Sequence, residues 1–168
     1  MVILMTEEEK RRHRCVVAGH RPERLKIEEQ RVREFLEREI KAAYNSGMNV
    51  FICGMARGVD QWAADIVLKM KKNHPDIRLI CALPYSGFEQ MWSEKDKRKG
   101  EEIIAQADLI RVICGGYERS CFQRRNRWMV ERASRLIAVW NGQPSGTADT
   151  IKRACETGME VIIYIYNK

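Results

Sequence analysis

The sequence predicts a single α/β domain, a doubly wound and mainly parallel sheet flanked by helices. Three observations carry that expectation. Short apolar runs alternate with longer amphipathic stretches from "CVVAG" onward. Each run is continuous rather than alternating, as strands read when helices cover both faces of a parallel sheet. The 168 residues contain no internal repeat, low-complexity tract or Pro/Gly-rich linker, which suits one domain.

Residues 1–13 read as a charged, helical appendage tagged onto an edge of the sheet, and residues 14–168 as the domain. The first strand is "CVVAG". In the stretch after it, Val32, Phe35, Leu36, Ile40, Ala43 and Tyr44 fall on one helical stripe, and Gly47 closes that helix. "NVFICG" is the second strand, "VDQWAADIVLKMKKNH" a helix, and "IRLICALP" the third strand. The rhythm continues with helix "KGEEIIAQA", strand "DLIRVIC", helix "QRRNRWMVERA", strand "RLIAVW", turn "NGQPSGT", helix "ADTIKRACETG" and strand "EVIIYIY". Six strands with helices between them fit a doubly wound sheet.

Thirty Lys and Arg against 23 Asp and Glu give a formal charge of +7, which favours anionic partners without naming one. The run "KDKRK" (Lys95 to Lys99) has acids on both sides and reads as a solvated helix face. The six cysteines form no CxxC pair, and none stands near a histidine at zinc-ligand spacing. Reduced, mostly buried thiols are expected, with no metal and no cofactor. The apolar runs are far short of the roughly 20 residues of a membrane span. The N-terminus places its apolar residues before its charges, the reverse of a secretory signal, so a cytoplasmic protein is expected.

In a doubly wound sheet, ligands lie over the carboxyl ends of the strands. Three turns there share a glycine-rich composition: "AGHRPERL", "GMARGVD" and "NGQPSGT". Gly19, Gly54, Gly58, Gly142 and Gly146 are the candidate glycines, on the argument that a missing Cβ and a helix N-terminus together admit a phosphate. Gly54 is expected to let the chain leave its strand sharply and Gly58 to leave room for a ligand. Thr147 adds a hydroxyl. Asp60 either caps its helix or accepts hydrogen bonds from ribose hydroxyls. Arg21 can contact phosphate bidentately, and His20 lies beside it. Arg124, Arg125 and Arg127 flank Asn126 at the start of a helix, where one face cannot hold all three arginines and at least one points away. Arg124, Asn126 and Arg127 are the candidates, with one of Arg124 or Arg127 neutralising charge. Trp92 serves as core packing or as a base-stacking ring. The spacing GxxxGxD is neither GxGxxG nor GxxxxGK[ST], and the missing GK[ST] argues against a nucleoside triphosphatase.

Taken together, "GHRP", "GMARGVDQWAAD", Pro84 at the third strand's end with Trp92 downstream, "RRNRWMV" and "GT" opening the last helix resemble the YpsA-like branch of the SLOG superfamily, from about Cys15 to Tyr166. The resemblance implies a Rossmann-like fold and a pocket protein that binds a nucleotide or an ADP-ribose-like, NAD-derived ligand. It would act as a sensor or by sequestering that ligand, without strong catalysis. It also implies that Gly58 and Asp60 are pocket residues and that Asp60→Ala abolishes binding with the fold intact. The wider superfamily supplies two alternatives. LOG phosphoribohydrolases carry PGGxGTxxE, and Thr150 stands where that catalytic glutamate would be, so no catalytic residue is assigned. Binding of single-stranded nucleic acid, as in DprA, is the other. Nucleic acid is not the expected partner, because the aromatics do not follow a continuous basic stripe. A homodimer or higher homo-oligomer is compatible with the family.

Overall fold

The six apolar runs form six strands, and every pairing between them is parallel. The computed structural model describes residues 1 and 3–166. In chain order the elements are α1 (Glu7–Arg12), β1 (Arg14–Gly19), a 3-10 turn (Pro22–Arg24), α2 (Glu29–Asn45), β2 (Val50–Cys53), α3 (Val59–Lys71), β3 (Arg78–Tyr85), α4 (Glu94–Gln106), β4 (Leu109–Cys114), α5 (Cys121–Glu131), β5 (Arg135–Trp140), α6 (Gly146–Glu156) and β6 (Glu160–Ile165). The sheet order is β4-β3-β2-β1-β5-β6. From β1 the chain steps outward to β4, then returns to lay β5 against the other side of β1. The order therefore reverses between β1 and β5, and helix N-termini diverge there to leave a crevice.

Two cores sandwich the sheet, and the period of two along β1 divides its side chains between them. Cys15 and Val17 join Leu36, Ile40, Ala63 and Val67 of α2 and α3. Val16 and Ala18 join Met129 and Val130 of α5 and Ile151 and Ala154 of α6. The stripe expected on α2 is buried at Val32, Phe35, Leu36, Ile40 and Ala43. Trp62 belongs to the first core, with the Arg33 guanidinium over its ring. Five cysteines are buried free thiols, and Cys155 is exposed. Burial pushes the Cys15 and Cys81 thiols up to about 12, so they behave as small hydrophobes.

Two expectations change. "DLIRVIC" reads as a strand covered on both faces, yet β4 is an edge strand with Leu109, Ile110 and Val112 exposed. The appendage is helical, with a capping box between Thr6 and Glu9, but it is not on a sheet edge. Arg11 donates to the Ala133 carbonyl, and Arg14 to the Arg132 carbonyl and to Glu7, which holds α1 at the amino ends of the central strands β1 and β5. Among the described residues, no helix is long and apolar enough to cross a membrane.

Candidate functional site

A cavity of about 300 Å³ opens at the reversal point, over the carboxyl ends of β1 and β5. The turn after β1 supplies Gly19, His20, Arg21 and Arg24. Asp60 comes from the first turn of α3, Phe122, Arg125 and Asn126 from α5, and Ser145 to Thr147 with Thr150 from α6.

His20 is 4% exposed, and burial pulls its pKa below the ordinary imidazole value. Its Nε2 accepts the Asn141 N–H at 3.2 Å, so the neutral ring carries its proton on Nδ1. Thr147 is 8% exposed, and its hydroxyl has no hydrogen bond to any described residue. The N-cap Ser145 accepts the Ala148 N–H at 3.1 Å, while the first N–H groups of a helix have no partner within it. The Thr147 hydroxyl, the helix N-terminus and the His20 imidazole therefore line one cavity. Arg21 and Arg24, both exposed, add positive charge at its rim.

Beneath this surface lie Asp60 and Arg125, each 5% exposed. Arg125 reaches across from α5: its Nη1 donates to the carbonyls of Gly54 and Ala82, and its Nε to Asn126 Oδ1 at 2.9 Å. Asp60 Oδ2 accepts the Ala56 N–H at 3.2 Å. Burial lifts the Asp60 carboxyl to about 6, against the pull of the Arg125 charge and of the Ala56 and Gly19 N–H groups. Burial in turn lowers the Arg125 guanidinium, against the attraction of Asp60. Asp60 thus ties the turns after β1 and β2 together while keeping a carboxylate at the cavity wall.

The glycines answer to protein atoms. A Cβ on Gly54 would stand 2.8 Å from the Arg125 guanidinium and 3.0 Å from Asp60 Oδ2, and one on Gly19 would stand 2.5 Å from Val59. Gly58 has φ +89°, and its Cβ would stand 2.7 Å from the His20 carbonyl oxygen. The place expected to be left for a ligand above Gly58 is filled by His20 and Pro22.

Of the residues singled out from sequence, Gly19, His20, Arg21, Asp60, Asn126, Gly146 and Thr147 line the cavity. Gly54 and Gly58 support it from behind. Pro84 is buried in β3 beyond the last pairing with β2, where its missing N–H breaks no ladder bond. Trp92 packs on Phe88 at 5.2 Å, away from the cavity. Gly142 has φ +80° and shapes the turn in which Trp140 Nε1 donates to the Gln143 carbonyl. Arg124 and Arg127 point to solvent, Arg124 onto Glu118. Sequence reasoning leaves out Arg24 at the rim and, with more consequence, Arg125 beneath the cavity. Arg125 shares a helical face with Phe122 and Met129, at i, i+3 and i+7, and that apolar register is the signal that could have found it. Replacing Arg124 or Arg127 with alanine is accordingly expected to move stability by no more than about 0.5 kcal/mol, as at other exposed sites. Arg125→Met should disturb the turn carrying Gly54 and the start of α3 at Asp60. Urea midpoints for the three variants check this.

An all-parallel, doubly wound sheet with a polar cavity at its point of reversal defines a Rossmann-like α/β protein. The model of the YspA SLOG family matches residues 15–165, and the chain belongs to that family. It is 25% identical over 153 residues to a UPF0398 protein of Lysinibacillus sphaericus, covering 86% of either chain. It is 28% identical over 128 residues to UPF0398 protein BH1768 of Halalkalibacterium halodurans, covering 73% of this chain and 68% of that one. Among solved structures it is similar to DNA processing protein A of Streptococcus pneumoniae, with a TM-score of 0.65 at 22% identity. It is also similar to the same-named protein of Helicobacter pylori, whose single-stranded DNA binding mode was the subject of that structure, with a TM-score of 0.62 at 20% identity. The match takes in 89% of this chain in both cases, but 49% and 64% of those longer chains. At such identities the likeness is one of fold.

Proposed function

We propose that the cavity binds a nucleotide or an ADP-ribose-like ligand, which the protein senses or sequesters without strong catalysis. The observation that carries this reading is the convergence of donors without protein partners. The Thr147 hydroxyl, the α6 N-terminus and His20 Nδ1–H suit phosphate and ribose oxygens. Rim arginines supply the countercharge, and Asp60 is the acceptor for a ribose hydroxyl. Thr150, where a LOG-type glutamate would stand, donates to the Gly146 carbonyl at 2.9 Å and offers no carboxylate.

Ligand-observed proton NMR on AMP, NAD and ADP-ribose with the purified chain tests the reading. Selective broadening of one ligand, chemically unchanged, is expected. Thr147→Val should weaken that binding about fivefold to tenfold, the scale of one lost hydrogen bond, with no fall in stability because the hydroxyl has no partner to lose. New free-base or ribose signals would establish hydrolysis instead, and no broadening of any nucleotide would remove the reading.

A second reading rests on a different feature. Tyr117 is 70% exposed and stacks edge-on against Tyr85, which also meets Phe122 of the cavity wall. Such a ring offers a face to an unpaired base, and the DprA-like fold is compatible with that use. Oligonucleotide binding that collapses between low and moderate salt would favour it over the pocket.

A further inference from the structure

Resting on the nucleotide reading, we infer that the site takes a two-part ligand: an anionic part over the α6 N-terminus and a second, sugar-like part along the groove between α5 and α6. The cavity does not end at α6. A hollow of about 250 Å³ continues from it and shares Asn126, Gly146 and Thr150 as walls. Gly146 forms the neck. It marks the boundary between the two hollows, where a Cβ would meet the Asn126 amide nitrogen at 3.8 Å, an ordinary contact.

Past the neck the chemistry changes. The first cavity carries Arg21 and Arg24 at its rim, whereas the groove sets Asp149 and Glu156 against Lys152 and Arg153, with Gln123 beside them. Two acids, two bases and an amide give no net charge, so the groove does not suit a second cluster of phosphates. They offer acceptors and donors in close alternation, as neighbouring hydroxyls require.

Some exposed charges four residues apart close into pairs, as Arg33 with Glu29 at 2.7 Å and Lys41 with Glu37 at 2.9 Å on α2, while others, such as Arg98 and Glu102 on α4, stay open. Asp149 and Arg153 have the same spacing on α6, as do Lys152 and Glu156. Yet among the described residues none of the four, nor Gln123, forms a hydrogen bond or ion pair through its side chain. A row of polar groups facing one groove and not satisfying one another remains available to a ligand.

Calorimetry on the full chain with AMP and with ADP-ribose tests the inference. ADP-ribose is expected to bind at least about tenfold tighter than AMP, and the Gln123→Ala/Asp149→Ala double variant to lose about tenfold for ADP-ribose while AMP changes less than about twofold. Equal affinities in the native chain, or equal losses for both ligands in the variant, would overturn the groove and leave the nucleotide site standing. Failure of both ligands to bind would overturn the site itself and this inference with it.

Discussion

Asp60→Asn is expected to make the folded chain about 2 kcal/mol more stable at pH 7.5 and to weaken ligand binding at the same time. The carboxyl sits at about 6, against an ordinary 3.8, chiefly because burial disfavours its charge. A folded-state value above the unfolded one means that the native chain holds this proton more tightly. The group's contribution to stability is therefore complete below about pH 4 and is lost as pH rises through 6. A rise of that size corresponds to about 3 kcal/mol, and an amide N–H left without an acceptor takes back about 1 kcal/mol of what asparagine would gain. The side-chain oxygen of the asparagine would still accept from the Ala56 N–H. The advantage of the variant should shrink from pH 6 downward, reach zero at about pH 4.5 and become a deficit of about 1 kcal/mol below pH 4. Burial lowers the pKa of His20, which acts in the opposite sense, but it does so in both proteins and cancels from the difference. Urea midpoints for the two proteins at pH 4, 5, 6 and 7.5 measure it. Equal midpoints at pH 7.5 would mean that Arg125 fully compensates the buried charge. A group whose ionised form destabilises the fold is in keeping with a site that trades stability for function.

The same geometry changes what alanine does at this position. The expectation that Asp60→Ala leaves the fold intact takes no account of the turn that the side chain holds. In the structure it also accepts the Ala56 N–H, so alanine leaves that part-buried donor without its partner, and asparagine, which keeps the bond, is the cleaner probe.

What is legible in the sequence follows the physics of burial. Strands covered on both faces read as unbroken apolar runs, so all six are visible, as is the α2 stripe. Strand order is not visible, because an apolar run does not say which neighbours it will have; β4 reads like β1 yet lies at an edge. In the site, residues are legible where local chain geometry decides their role, as with His20, Gly146 and Thr147 in turns at strand ends. They are not legible where the role depends on a partner distant in sequence. Arg125 is the clearest case: its hydrogen bonds run to Gly54 and Ala82, 71 and 43 residues away, and only its register with Phe122 and Met129 separates it from its exposed neighbours Arg124 and Arg127. Gly54 stands out and misleads for one reason, since the atom that excludes a Cβ there belongs to Arg125 rather than to a phosphate.

Gly58→Ala is expected to be the most destabilising of the glycine substitutions, at about 3–5 kcal/mol. Two effects add. At φ +89° and ψ −127° the backbone lies where only glycine is comfortable, and forcing another residue there costs about 1–3 kcal/mol. The new Cβ would also stand 2.7 Å from the His20 carbonyl oxygen and 2.9 Å from Pro22 Cδ. Neither can swing aside as the end of a flexible side chain could, and overpacking of this kind costs about a further 1–3 kcal/mol. Gly47→Ala separates the two effects. Gly47 has φ +99° with nothing within 4 Å of its Cβ position, so it reports backbone strain alone, at about 1 kcal/mol. Thermal or urea unfolding of the two variants gives the comparison. Equal losses would mean that the turn after β1 yields freely. The expected gap of about 2 kcal/mol or more would mean that it is pinned against α3, with His20 held at the cavity wall by the same contact.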